Sequence, residues 1–368
     1  MGIIYRILLI LALTLGTRFL PAASTPNFSN TPDIGYTVPE IKVFSLQRKD
    51  VVAIAVEQCL PTADIPDPLQ YMMRPQYSEK ISGTRLEVTL SNVAATSSLT
   101  ELTITGGKVI KYFNGVRLNQ VTVEEIGNHQ LRVIAVYPDT AQVRITTVKR
   151  KRVNNPDNTT TYRTYVVLTF YKPKVDTNKV IVLDPGHGGS SLGATGNYLY
   201  EKDLNLDIAL LAQDLFLKSG YDVYMTRIDD SPVELLDGAD AANILDAASF
   251  ISVHNNSVPE DMPESAKKLC RGTTVLYNSA ALHPAKDLAS IMCDELVRTL
   301  RTHKSPLQDR PNLVVLNSTW VPAVIAEVVM LPDPQDAKMI SQRIYRQRSA
   351  EAIVTATEKY FRLNGIVQ

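Results

Sequence analysis

The 368-residue chain is short of the residue types that reveal a protein's setting on their own. Three cysteines are too few for a disulfide scaffold. Cys270 and Cys293 are the most local pair for a bridge, the alternative being buried thiols that act as small apolar residues, and their spacing matches no zinc knuckle. There are five histidines and one tryptophan. Charge of neither sign is in excess, with 38 Lys+Arg against 38 Asp+Glu, so nothing favours nucleic acid or an anionic membrane as partner. No apolar run approaches the roughly 20 residues of a membrane-spanning helix. The rest is ordinary for a globular protein, 45% apolar and 21% charged, at a length that suggests two domains.

The first residues differ from the remainder of the chain. "MGIIYRILLILALTLGTRFLPAAS" carries Arg6, an apolar run over 7–15, and small residues Ala22, Ala23 and Ser24. It reads as a secretory signal, residues 1–24, cleaved near Ala23 to Thr25, which leaves no stable membrane span and places the mature chain in the periplasm or the extracellular wall. No cysteine at that point marks a lipoprotein.

Residues 25–175 read as a β-rich domain. After a Pro-rich stretch with one strand candidate at 51–56, alternation of period two sets in: Leu86, Val88 and Leu90 share one face, and "NQVTVEEI", "QLRVIAVYP" and "AQVRITTV" come after. Gly106-Gly107, Asn114-Gly115 and Gly127-Asn128 punctuate them as turns, which suggests a small sandwich. Lys149-Arg150-Lys151-Arg152 reads as a solvated hairpin tip, or as a contact for an anionic wall polymer. "YKPKVDTNK" breaks the alternation and marks a linker.

From 176 to 368 strands alternate with helical patterns. Strands are expected at 180–183, 221–226, 250–253, 274–277, 313–316 and 324–328, and helices at 203–219, 234–247, 285–300 and 346–361, the first with Asp203 as N-cap and Gly220 as its end. This order gives an α/β fold, a mostly parallel central sheet flanked by helices, which binds ligands outside the carboxyl ends of its strands.

Four polar residues fall near those ends: His187 in "LDPGHGG", Glu201 at the start of the first helix, His254 in "FISVHNNS", and Glu327 in "AVIAEVVM". Singly, a histidine at a strand end is more often a hydrogen-bonded structural residue, and Glu201 suits a helix N-terminus. Glu327 resists such a reading, because a carboxylate in an apolar strand costs several kcal/mol unless paired, metal-bound or protonated. Two histidines and a glutamate make the ligand set of a catalytic Zn2+, with a fourth position left for water; nickel, cobalt or iron tolerate the same set. Such a site needs a second, unligated carboxylate to move the water proton, a role open to Glu327. The glycines around His187 do not have the spacing of a dinucleotide or P-loop motif, so they are read as shaping a turn and leaving room for substrate.

Residues from 180 to about 361 resemble the zinc-dependent N-acetylmuramoyl-L-alanine amidases of the Amidase_3 family, through "IVLDPGHGG", "EKDLNLDIALLAQDL", "GYDVYMTRIDD", "AANILDAASFISVHNNS", "GTTVLYN" and "VPAVIAEVVMLPDPQDA", in order. The resemblance implies His187, Glu201 and His254 as zinc ligands and Glu327 as the catalytic carboxylate. It implies hydrolysis of the amide between N-acetylmuramic acid and L-alanine, with peptidoglycan as the partner. It also implies that the β-rich half is a wall-targeting module, by architecture alone. An arginine usual in the family falls at Gly238, and Val328-Val329 and "LPDPQDA" stand where it has Gly-Phe and later an asparagine. These departures spare every expected ligand, and bear instead on substrate preference or on a non-hydrolytic wall-binding role. A zinc hydrolase for another peptidoglycan amide is a further alternative. The short 255–271 segment leaves no room for a long autoinhibitory helix.

Overall fold

Period-two patterning becomes sheet structure in the first half of the chain. The computed structural model describes residues 36–366, apart from 62–74, 96–107, 113–116, 128, 150–152, 155–156, 175–178, 197, 259–261, 264, 266–269, 282 and 284. Residues 1–24, expected as an export signal, the expected turns at Gly106-Gly107 and Asn114-Gly115, Asn128 and basic residues 150–152 lie outside the described residues. The strands are β1 (Tyr36–Val38), β2 (Ile41–Ser45), β3 (Lys49–Pro61), β4 (Gln76–Ser82), β5 (Arg85–Ser91), β6 (Val93–Ala95), β7 (Lys108–Tyr112), β8 (Gln120–Glu125), β9 (Gln130–Val136), β10 (Gln142–Lys149), β11 (Val153–Asn154) and β12 (Thr159–Tyr171). One sheet runs β10-β12-β3-β1-β6, with β2 beside β3 and β11 beside β12; the other runs β4-β5-β9-β8-β7. Leu86, Val88 and Leu90 of β5 are fully buried, as their shared face requires, and pack with Val52, Ile54 and Val56 of β3 and Val166 and Leu168 of β12.

The second half comprises β13 (Val180–Pro185), β14 (Thr195–Gly196), β15 (Leu199–Tyr200), α1 (Glu201–Lys218), β16 (Asp222–Met225), α2 (Leu235–Ile244), β17 (Ser249–Asn256), β18 (Thr274–Tyr277), α3 (Lys286–Leu300), β19 (Gln308–Asp309), α4 (Val314–Ser318), β20 (Ala323–Met330), α5 (Pro334–Ile340) and α6 (Arg343–Leu363). Its six-stranded sheet has the order β16-β13-β17-β20-β18-β19. The first four of these strands are parallel, and β18 runs antiparallel to β20. The α/β architecture read from the sequence is therefore the one the chain adopts.

Two local expectations are corrected, and one open alternative is decided. Residues 313–316, expected as a strand, enter α4: Asn317 N–H donates to Leu313 O, and Asn243 holds the helix end by bonding Ser318 O and Trp320 N. A four-residue apolar run has no period that separates strand from helix, and here tertiary polar contacts decide. Asp203 is not the cap of α1. The helix starts at Glu201, because Ala194 O and Leu192 O accept the first two helical N–H groups and so replace a side-chain cap. Cys270 and Cys293 are not bridged; Cys293 is buried beside Thr273 O.

The two faces of the α/β sheet are covered differently. Ile181, Leu183, Ile251 and Val253 pack under α1, α3 and α6. On the other face Val180, Val182, Phe250 and Ile325 meet α2, α4 and the outer face of the first β-sheet, through Phe44 of β2, Val51, Ala53 and Ala55 of β3, and Tyr165 and Val167 of β12. Polar bonds cross the same seam: Tyr165 OH donates to Asp240 Oδ2 at 2.7 Å, Lys42 Nζ to Asp237 at 2.8 Å and Arg48 to Gly220 O at 3.1 Å. Residues from Tyr36 onward accordingly form one compact unit.

Candidate metal centre

The carboxyl ends of β13, β17 and β20 converge on one polar cluster. By period two, Phe250, Ser252 and His254 share a face of β17, and Ala323, Ile325 and Glu327 the matching face of β20. His254 stands directly opposite Glu327 in the ladder, and a register irregularity lies between His254 and Asn256. His187 comes from the glycine-rich loop after β13, at φ +66, and Glu201 opens α1. Ligand atoms of His187, Glu201 and His254 all lie within 4.8 Å of one another, the one such group found among the described residues. Glu201 Oε1 sits 2.8 Å from His254 Nδ1, and Oε2 3.2 Å from His187 Nε2.

The glycines explain this closeness. A Cβ on Gly186 would stand 2.1 Å from His254 Nε2, and one on Gly193 2.5 Å from Glu201 Oε2 and 2.7 Å from His187 Cδ2. Any side chain at either place collides with the cluster. The turn of "PGHGG" is therefore shaped by how near the backbone must pass to imidazole and carboxylate.

A ring of polar residues holds these side chains, and patterning alone did not single it out. Ser191 Oγ is 2.9 Å from His187 Nδ1. Glu201 accepts from Ala194 N, Asn255 N and Asn205 Nδ2, while Asn255 Nδ2 donates to Asn205 Oδ1. Arg227 is 4% exposed and donates to Pro185 O, Gly186 O, Lys202 O and Asp229 O, so one planar guanidinium ties the end of β13 to the first turn of α1. Lys202 Nζ bonds Gly189 O and Asp230, and Asp230 accepts from Gly189 N, fixing the same loop from the other side. The available signal was a polar residue inside a motif: Asn205 in "EKDLNL", Asn255 in "SVHNN" and Arg227 in "YMTRIDD".

Electrostatics divide the two glutamates. Burial acts to raise the Glu201 carboxyl, but hydrogen bonds with His187 and His254, the charge of His254 and the Ala194 N–H prevail and hold it well below the usual carboxylate range. Burial acts to lower His254, yet the Glu201 hydrogen bond and the charges of Glu327 and Glu201 push it up to about 9. Glu327 goes the other way: burial pushes it up to about 7, with the charge of His254 only partly opposing. Its Oε2 is sealed from solvent with no hydrogen-bond partner.

Two imidazoles and one ionised carboxylate are a donor set that suits Zn2+, and the neighbouring acid with an uncommitted oxygen is what a hydrolytic site requires. The residues present fit that ion. No helix among the described residues is long and apolar enough to cross a membrane.

Residues 181–359 match the family model described as N-acetylmuramoyl-L-alanine amidase, Amidase_3. Among curated proteins the chain is 36% identical over 189 residues to the probable cell wall amidase LytH of Staphylococcus aureus, an overlap of 50% of this chain and 58% of LytH, and so spans little more than half of that relative. It is 29% identical over 184 residues to the uncharacterized protein YqiI of Bacillus subtilis, covering 50% of this chain and 85% of YqiI. Among solved structures, the N-acetylmuramoyl-L-alanine amidase from Clostridium difficile 630 is 28% identical, with 50% of this chain and 97% of that chain covered and a TM-score of 0.46. The catalytic domain of CwlV from Bacillus (Paenibacillus) polymyxa var. colistinus is likewise 28% identical, covering 50% and 98%, with a TM-score of 0.45.

Proposed function

Because residues 181–359 belong to the N-acetylmuramoyl-L-alanine amidase family, Amidase_3, we propose that the protein hydrolyses the amide joining N-acetylmuramic acid to L-alanine in peptidoglycan. The observation that carries this reading is the pairing of a three-ligand cluster with Glu327, a half-buried carboxylate whose Oε2 has no partner, across one rung of the sheet. His187, Glu201 and His254 would hold Zn2+. Bound there, zinc supplies polarisation of the scissile carbonyl and makes water nucleophilic at neutral pH.

The chain's own residues do the rest. Glu327, with its acidity set near neutrality by burial, takes a proton from the attacking water and delivers it to the leaving nitrogen. The water oxygen forms the new bond to the lactyl carbonyl carbon, and the carbon–nitrogen bond breaks. The products are a free lactyl carboxylate on the glycan and a stem peptide with a free L-alanine amine. Ser191 orients His187, and Asn205 with Asn255 N–H orients Glu201, so the ligands keep their geometry through the cycle. The apolar segment at 1–24 is read as the export signal that brings the enzyme to this substrate.

The test is digestion of purified sacculi followed by mass spectrometry. Unsubstituted glycan and intact stem peptides are the expected products. Cleavage within the stem peptide, or binding without release, would overturn the reading.

A further inference from the structure

Between His187 and Glu201 the chain makes a small hairpin, with Thr195 opposite Tyr200 and Gly196 opposite Leu199. It is rooted on the site itself. Ala194 N donates to Glu201 Oε2 at 2.6 Å, and Glu201 N returns a bond to Ala194 O. Gly196 packs against the Leu331 carbonyl, just past the strand that carries Glu327, with only 3.0 Å between that oxygen and the place of a Cβ. The tip residue Tyr198 is three residues from Glu201, within about 10 Å at the rise of a strand.

Tyr198 is at odds with local physical chemistry on two counts. Its backbone sits at φ +63, a region that L side chains rarely adopt and that is an outlier for a bulky residue. Two residues separate Gly196 from Leu199, and in turns of that length the second residue at positive φ is typically glycine, as in Asn-Gly; this chain has Asn197-Tyr198. Its side chain is also fully exposed, at 106%. Fully exposed on a hairpin rooted at Glu201, the Tyr198 ring adds no packing contact to the fold while its backbone is strained, so its use is in contact with something outside the chain.

We infer that Tyr198 is a saccharide-stacking subsite, on which the glycan strand of the substrate lays a sugar ring beside the metal-ligand cluster; this rests on the amidase reading. An aromatic face with only two χ angles to order suits the apolar C–H face of a pyranose. The anionic stem peptide is the less suitable occupant, because the cation nearest in sequence, Lys202, is already committed to Asp230 and Gly189 O. Half-exposed Tyr200 and partly exposed Leu192 flank the hairpin and extend the apolar edge.

The experiment compares the full-length, metal-loaded protein with Tyr198→Gly and Tyr198→Phe. Glycine removes the ring while relieving the positive φ, so Tyr198→Gly should melt at or above the wild-type temperature, which separates loss of contact from loss of folding. Three readouts are taken: calorimetric titration with peptide-free glycan strands of alternating N-acetylglucosamine and N-acetylmuramic acid, calorimetric titration with free stem peptide, and turnover on sacculi. The expected result for Tyr198→Gly is about tenfold weaker strand binding, the factor of one aromatic contact, with KM on sacculi raised more than kcat is lowered. Tyr198→Phe should bind as wild type. Equal strand binding by wild type and Tyr198→Gly overturns the inference, as does a loss confined to titrations with free stem peptide. Wild type that binds strands through Tyr198 yet releases no peptide would sink the amidase reading and leave the subsite standing.

Discussion

An acid whose free oxygen is sealed from water and unpaired is expensive to keep, and Glu327 is such a residue. Replacing it by glutamine keeps the shape and removes the proton carrier. Turnover of Glu327→Gln on sacculi should fall by about 10²–10⁴-fold while metal content by elemental analysis stays at the wild-type level. Undiminished turnover would remove Glu327 from the mechanism. Gly186→Ala tests the ligands instead. Its Cβ has no room beside His254 Nε2, so the imidazole must turn away, and metal affinity in a chelator competition should fall by at least about 10–100-fold. The proton on His254 gives a third test. In the metal-free protein the group is raised from 6.5 to about 9, so its contribution to stability is full below pH 6.5 and lost as pH rises through about 9. A ligating imidazole must be neutral, so loading the metal at pH 7.5 should release a proton, read by calorimetry in buffers of different ionisation enthalpy. Heats that do not depend on the buffer would contradict it.

At the scale of elements, the seam between β12 and α2 depends on one buried phenol. Tyr165 is 1% exposed and its hydroxyl donates to Asp240. Tyr165→Phe should lower unfolding free energy in denaturant titration by about 1–3 kcal/mol, with no change in KM, since the seam is not the site. The elements also mark how far the sequence could be read. The strands of the α/β sheet were legible because Val180, Ile181, Val182 and Leu183 form a run buried on both faces, and α1 because Leu204 and Ile208 repeat at helical spacing. The hairpin of β14 and β15 was not, since two-residue strands carry no period, and neither was the loop before it, whose Leu192 O and Ala194 O set the start of α1 at Glu201 rather than Asp203. At the site, His187, His254 and Glu327 stood out by residue chemistry, because histidine is scarce here and Glu327 interrupts an apolar strand, whereas Glu201 also suited a helix N-terminus and gained its place from the family resemblance. The supporting set did not: the value of Arg227 lies in four backbone carbonyls, and no sequence pattern displays those.

For the whole molecule, the shared core sets the limits of dissection. The face of the α/β sheet that carries α2 and α4 shares its core with β3 and β12, so a chain shortened to residues 179–368 would lose Phe44, Val51, Ala53, Ala55, Tyr165 and Val167 from that core and leave it partly uncovered. It should melt well below the full-length protein or aggregate, as followed by calorimetry and light scattering; an equally stable fragment would show that the β-rich half is a dispensable attachment. The family model matches residues 181–359, which makes grafting tempting: a related cassette in place of those residues keeps all four candidate site residues. The face under the first β-sheet has to be transplanted as well. A chimera that carries polar residues at positions 241, 244, 245 and 325 would set them in the cluster that holds Phe44, Ala53 and Tyr165, and the graft would fail at its seam with the candidate metal centre intact.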